Sequence, residues 1–193
     1  MRAVRQRVFC LLGRIVSRAL VVSICAAAIV LMVGVPPALA QTVQISVRIE
    51  SIVALDVANW TSPADFFARI SIDGKSIQTP VVLNQNDISP NWEYREIAVG
   101  GGVRRIRIEV LDEDVTFNDP IDVNPQAGKR ELDLTIDTSA LTCVVAGDVT
   151  GSCNSSITSA GSESGRASLQ FRIDARIIDE DVKQTVLRRQ KKT

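Results

Sequence analysis

The 193-residue sequence contains no histidine, and only four cysteines, two tryptophans, one tyrosine and five phenylalanines. Without histidine it lacks the residue that most catalytic triads and many general bases use. Beyond residue 40 only two cysteines remain, Cys143 and Cys153, too few for a zinc site that must do without histidine. No basic patch with interleaved aromatic residues occurs anywhere, which excludes the usual nucleic-acid-binding surfaces. We therefore expect a protein that is not an enzyme and does not bind nucleic acid.

The first forty residues contain five arginines and no acidic residue, and include the apolar run "ALVVSICAAAIVLMVGVPPALA". This order predicts a secretory signal peptide over residues 1–40 and hence an extracytoplasmic protein, secreted or periplasmic. If the signal is not cleaved, residues 19–35 would anchor the protein in a membrane.

Beyond residue 40 the chain is acidic, with seventeen basic residues against twenty-two acidic ones. Five of the seventeen lie in the terminal stretch "KQTVLRRQKKT". We predict one domain over residues 41–182 and a solvated basic tail over residues 183–193. Attraction of this tail to an anionic surface is the alternative. Cys143 and Cys153 are the only cysteines beyond residue 40, and in an exported protein they are expected to form a disulfide.

Apolar and polar residues alternate along most of the chain, which predicts half-buried antiparallel strands. For example, "RRIRIEV" places Ile106, Ile108 and Val110 on one face, and "SLQFRIDARI" does the same from Leu169 to Ile177. Such faces find partners in a two-sheet sandwich, so the predicted fold class is all-β, with eight antiparallel strands. The strands are predicted at residues 43–53, 66–72, 76–83, 92–98, 103–111, 120–124, 131–137 and 168–177.

If successive strands alternate in direction, four connections lie together at one end of the sandwich: residues 54–65, 84–91, 112–119 and 138–167. The last is long for a compact domain, so we expect it to be functional or disordered, with its cysteines beside the acidic loop. Residues 110–122, "VLDEDVTFNDPID", contain five acidic residues and no basic one. This stretch is either a solvated acidic rim or the binding site of a cation from solution.

Three motifs occur in one order along the chain: "ALD" followed by "ADFFARISIDGK", then "TPVVLNQNDISPNWEYREIAV", then "IRIEVLDEDVTFND". In this order they resemble the C2 domain, an eight-stranded β-sandwich whose loops at one end often bind calcium and then phospholipid. The resemblance extends from Val43 to Ile177. It implies the permuted type II topology, because the strand that usually comes first would here come last, at residues 168–177.

The resemblance implies a set of calcium ligands on the first and third loops: Asp56, Asp65, Asp112, Asp114 and Asp119. It also implies that Trp60 and Phe117, at the loop tips, contact a phospholipid membrane; the alternative is that they fold back and cap the sandwich. Asp122 replaces the glycine that usually follows the third loop, and "KSIQTPVVL" is no counterpart of the lysine-rich strand that many lipid-binding members use for phosphoinositides. The implied function is calcium-dependent docking on a membrane or a partner surface. A calcium-independent structural or adhesion sandwich that binds a protein or glycan is the alternative.

Overall fold

The computed structural model describes residues 41–56, 62–114, 117–139 and 143–178. Within these ranges the chain forms β-strands and loops, and no helix is long and apolar enough to span a membrane. The strands are β1 (Thr42–Ala54), β2 (Phe66–Ile72), β3 (Lys75–Gln78), β4 (Asp87–Ile88), β5 (Trp92–Val99), β6 (Val103–Asp112), β7 (Asp119–Ile121), β8 (Leu132–Asp137), β9 (Val144–Gly147), β10 (Gly151–Ser152), β11 (Ser156–Ala160) and β12 (Ala167–Ile177).

The strands form two antiparallel sheets. In the first sheet the order is β11-β12-β1, and both β4 and β5 pair with the other edge of β1. In the second sheet the order is β10-β9-β8-β6-β2-β3, and β7 pairs with the end of β6. The last strand, β12, therefore lies beside the first, as the permuted strand order predicts.

Apolar side chains from both sheets form one buried cluster, so the sheets pack face to face as a sandwich and the predicted fold class is confirmed. Ile106, Ile108 and Val110 of β6 are buried as their alternation predicts. Each such side chain contributes about 1.5–3 kcal/mol through burial. A bulge between Ile49 and Ser51 shifts the β1–β12 register, and the next inward side chain is therefore Ile52.

Ile177 and Phe67 depart from the predicted pattern of alternation. The pattern places Ile177 inward, but at the last position of β12 it is 62% exposed, and the next residue, Ile178, is buried instead. Phe67 is fully buried although alternation places it on the face opposite Phe66. Trp92 begins β5 and packs against the core while remaining partly exposed.

The connection 138–167 differs most from its prediction, because its described residues form three short strands, β9, β10 and β11. It begins at the end of the sandwich opposite the acidic loop, where the Thr138 amide donates to the Gly102 carbonyl, 2.9 Å away. The Cys143–Cys153 disulfide is present, as predicted. It lies at the base of the β9–β10 hairpin, and the prediction that it adjoins the acidic loop is wrong. The predicted strands 76–83 and 120–124 are also shorter, and correspond to β3 and β7.

Candidate functional site

Strand pairing brings three predicted ligands to one end of the second sheet. Asp65 immediately precedes β2, and its neighbour Phe66 pairs with Asp112 at the end of β6. On the other side of β6, Asp112 pairs with Asp119, the first residue of β7. Asp114 follows two residues after Asp112. We call the region of Asp65, Asp112, Asp114 and Asp119 the acidic end.

Hydrogen bonds join three loops at the acidic end. The Asp65 amide donates to Oδ1 of Asp112 at 2.6 Å, and the Glu113 amide donates to the Asp65 carbonyl at 2.9 Å. Oδ1 of Asp65 in turn accepts a hydrogen bond from the Asn84 amide at 2.6 Å. Two of the carboxylates are thus held by backbone amides from neighbouring loops, which fixes their positions through contacts within the chain itself.

Asp56 lies at the same end of the sandwich. The Ala54 amide donates to the carbonyl of Asn86 at 2.7 Å, and the Asn86 side chain accepts a 3.2 Å hydrogen bond from the Ala64 amide. Asn86 therefore ties the end of β1 to the segment that leads into Asp65. Asp56 and Asp112 lie at one end of the fold, as the sequence predicts.

Burial and the negative charge at the acidic end both affect the pKa of Asp112. Burial raises its pKa above the usual 3.8, and the carboxylates of Asp114, Asp65 and Asp119 raise it further, against the lowering effect of the Asp65 amide. In the described part of the chain, none of these four carboxylates forms an ion pair with a lysine or arginine. Among the described residues, no lysine or arginine in direct contact therefore offsets their mutual repulsion.

Several carboxylates elsewhere on the sandwich have such partners. Glu109 accepts from Arg69 at 2.8 Å on the outer face of the second sheet, only three residues before Asp112. Near the acidic end, Arg130 donates to the carbonyl oxygens of Pro120 at 2.9 Å and Ser164 at 3.2 Å. Arg130, the arginine closest in sequence to β7, thus donates to backbone carbonyls and not to a carboxylate of the acidic end.

Phe117 is the exposed apolar side chain of the third loop. It is 79% exposed, so it does not fold back to cap the sandwich, and its contact with a membrane stays a prediction. Trp60, its predicted counterpart on the first loop, lies outside the described residues. The acidic end therefore combines a charged surface with a large apolar side chain open to solvent.

The chemistry of the acidic end fits a hard cation, because its donors are carboxylate oxygens. The arrangement of these carboxylates, however, does not form a complete metal site. Across residues 41–56, 62–114, 117–139 and 143–178, no group of three or more His, Cys, Asp or Glu side chains is arranged to hold a metal ion. Oδ1 of Asp65 and of Asp112 accept backbone hydrogen bonds, so a cation would be held mainly by the second oxygens.

A buried polar network beside the acidic end was not predicted from the sequence. Asp122 and Asn124 are both fully buried. Oδ1 of Asp122 accepts from the Asn124 amide at 2.9 Å, and its Oδ2 accepts from the amides of Ser162 at 2.8 Å and Glu163 at 2.6 Å. This carboxylate ties the segment leading into β12 to the end of β7. The stretch "DVN" is a weak sign of it, since Asp and Asn often bond to amides two residues ahead.

No protein-family model matches the chain, and no curated protein matches it in sequence. Among solved structures, it is similar to a C2 domain protein from Ramazzottius varieornatus (13% identity, TM-score 0.49, covering 74% of this chain and 93% of the other). It is also similar to a C2 domain of plant extended synaptotagmin 1 (14% identity, TM-score 0.47, 71% and 96%). Human GIVD cytosolic phospholipase A2 is similar too (15% identity, TM-score 0.45), and the match covers 71% of this chain but 18% of that protein.

Proposed function

We propose that this protein is an exported, non-enzymatic C2-like module that binds calcium through its acidic end and then docks on a phospholipid membrane or an extracytoplasmic partner. The observation that carries the proposal is the clustering of Asp65, Asp112, Asp114 and Asp119. Burial, and then the charges of Asp114, Asp65 and Asp119, raise the pKa of Asp112, and the four carboxylates form no ion pair with Lys or Arg in the described ranges. Export is supported by the signal-like residues 1–40 and by the disulfide.

The residues that would hold calcium are Asp56, Asp65, Asp112, Asp114 and Asp119. Bound there, the ion would supply positive charge that offsets the repulsion and attracts phosphate oxygens. The chain's own part is to hold the carboxylates in place, through the amides of Asp65 and Asn84. Outside the cytoplasm calcium can be abundant, so a dissociation constant of roughly 0.1–1 mM would suffice for occupancy.

Docking on a membrane is supported by the exposed side chain of Phe117 beside the acidic end. An aromatic ring at a lipid interface gains free energy by burying its apolar surface among the headgroups. Trp60, in the first loop, would add a second such ring. The acidic end alone would be repelled by anionic lipids, so we propose that docking follows cation binding.

Thermal melting of the purified protein with calcium and with chelator tests this function. Calcium at ten times its dissociation constant should stabilise the protein by about 1.4 kcal/mol, which is about 3–6 °C in Tm. An Asp112→Asn, Asp114→Asn variant should lose this increase. Glu113→Gln, which removes one negative charge from the position between them, is the control and should keep it. The same Tm in calcium and chelator for the unaltered protein would contradict the proposal.

The second candidate is a calcium-independent structural or adhesion sandwich that binds a protein or glycan. One observation favours it: the described residues contain no group of three ligands arranged for a metal ion. In that case the acidic end is a solvated rim. Melting temperatures that are equal in calcium and chelator would support this candidate.

A further inference from the structure

A polar cleft of about 270 Å³ lies on the outer face of the first sheet, formed by side chains that the proposed calcium site does not use. Its position follows from strand pairing, because Ser46 in the middle strand β1 faces Arg95 on β5 and Asp174 on β12. Two residues earlier in β1, on the same face, Gln44 faces Arg176 on β12. The cleft exists because the middle strand carries shorter side chains between long arginines.

Two hydrogen-bond donors form the floor of the cleft. Gln44 is 3% exposed and Ser46 is 8% exposed, although both lie on the outer face of the sheet. The Gln44 side-chain oxygen Oε1 accepts from Nε of Arg176 at 2.8 Å and also from its Nη2, which assigns the other side-chain atom as the Nε2 donor. In the described part of the chain, neither this Nε2 nor the Ser46 hydroxyl has a hydrogen-bond partner.

Arginines form the walls. Arg95 donates from Nη2 to Oε2 of Glu93 at 2.6 Å, and Arg48 donates from Nη2 to the same oxygen at 3.4 Å. Each guanidinium has five N–H donors, so most donors of both arginines remain without a hydrogen bond among the described residues. With Arg176, three guanidinium groups face the two carboxylates of Glu93 and Asp174, which leaves one net positive charge in the cleft.

We propose that this cleft binds the phosphate group of a small molecule or lipid headgroup, independently of calcium. Planar guanidinium groups match the oxygens of phosphate, and a hydroxyl and an amide at a buried floor add neutral donors. Asp174 opposes any anion beside Ser46. Binding therefore requires a ligand whose oxygens engage two or more guanidinium groups at once, which favours phosphate over chloride. This site would act in addition to the proposed calcium-binding end.

Titration with inorganic phosphate in chelator, followed by amide NMR, tests the cleft. Sodium chloride at matched ionic strength controls for charge screening. We expect saturable shifts centred on the amides of Gln44, Ser46 and Arg95. In Arg48→Gln the dissociation constant should rise about tenfold, because a charge-assisted hydrogen bond is lost. Ser46→Ala, which removes one hydroxyl without changing charge, should weaken binding by a smaller factor.

Arg69→Gln is the matched control, because Arg69 also pairs with a glutamate but lies on the second sheet. It should leave phosphate binding unchanged. Vesicles of phosphatidylcholine with and without phosphatidic acid, also in chelator, separate the two sources of phosphate. Binding to phosphatidic acid vesicles that Arg48→Gln weakens assigns a headgroup, whereas saturable phosphate shifts without vesicle binding assign a free phosphate compound. Shifts that do not saturate, or that Arg69→Gln reduces as much as Arg48→Gln, would overturn the proposal.

Discussion

The backbone amide of Asp65 donates a 2.6 Å hydrogen bond to Oδ1 of Asp112, which joins two acidic residues at the ends of neighbouring strands. The bond stabilises the ionised carboxylate of Asp112, yet its pKa is still raised, by burial first and then by the charges of Asp114, Asp65 and Asp119. Ionisation of Asp112 therefore costs the folded protein free energy, even though an amide holds the carboxylate in place.

We predict that Asp112→Asn raises Tm in chelator at neutral pH by about 1–3 °C, the range expected for a partly exposed charge interaction. Asparagine keeps an oxygen that can accept from Asp65 and removes the disfavoured charge. Because the folded-state pKa lies above 3.8, the cost is fully present above that folded-state value and disappears as pH falls below 3.8. The difference in Tm between variant and parent should shrink over the same window. Melting curves across acidic pH measure it, and a lower Tm for the variant at neutral pH would contradict it.

Much of the fold was predictable because β6, β8 and β12 alternate apolar and polar residues. The region after β8 was not, because β11 places Ser159 at an inward position. Ser159 is buried and satisfies its hydroxyl on the Val123 carbonyl, 2.6 Å away, so the strand lacks the apolar period that marks the others. The burial of Asp122 and Asn124 was not predicted for the same reason, since hydropathy cannot distinguish a buried, hydrogen-bonded polar side chain from an exposed one.

The acidic end was predictable in its position but not in its internal contacts. Strand order alone brings Asp65, Asp112 and Asp119 together, because each lies at a strand end on the same side of the sheet. Which carboxylate oxygen accepts from which amide depends on loop conformation. Asn84 illustrates this, because it adopts a positive φ of 57° where its amide meets Asp65. The sequence pattern carries no signal for such a contact.

Replacing the buried carboxylate of Asp122 should strongly destabilise the fold. Asp122→Ala leaves the amides of Asn124, Ser162 and Glu163 without their acceptor, and we expect a loss of about 3–5 kcal/mol in the free energy of unfolding. Asp122→Asn should lose less stability than Asp122→Ala but more than the control below, because the NH2 group of asparagine must face at least one amide donor. Asp119→Asn, at an exposed position three residues earlier, is the control and should change stability by less than about 1 kcal/mol. Denaturant titration measures all three, and equal effects of Asp122→Ala and Asp119→Asn would refute the role of the network.

Tyr94 is the only tyrosine in the sequence, so its ionisation can be followed by absorbance alone. Burial and then the hydrogen-bonded neighbour Glu96 raise its pKa from 10.0 to about 12. At pH 11 we expect roughly a tenth of the folded protein to carry tyrosinate, against roughly nine tenths in denaturant. The unfolded chain releases the proton first, so stability should fall as pH rises from 10 toward 12. Glu96→Gln should lower the midpoint, and a midpoint of 10 in the folded parent would contradict the prediction.

The final prediction concerns the exposed ring of Phe117 and its dependence on charge. In chelator, the carboxylates of the acidic end should repel an anionic bilayer and keep Phe117 away from it. Binding to anionic liposomes should therefore require calcium and weaken with added salt, because the attraction between bound cation and phosphate is screened. A Trp60→Ala, Phe117→Ala variant should lose most liposome binding and keep the calcium-linked rise in Tm, since neither ring contributes a ligand.

Val99→Ala serves as the control for loss of exposed apolar surface, because Val99 is 60% exposed and lies at the end of β5, which is opposite the acidic end. It should bind liposomes like the parent if the contact is confined to the acidic end. Co-sedimentation with liposomes, in chelator and in millimolar calcium, measures the binding of the parent and of each variant. Millimolar calcium is on the order of the dissociation constants of extracellular calcium sites. Equal binding of the parent protein in chelator and in calcium would contradict this mechanism, because neutralisation of the carboxylates would then play no part in docking.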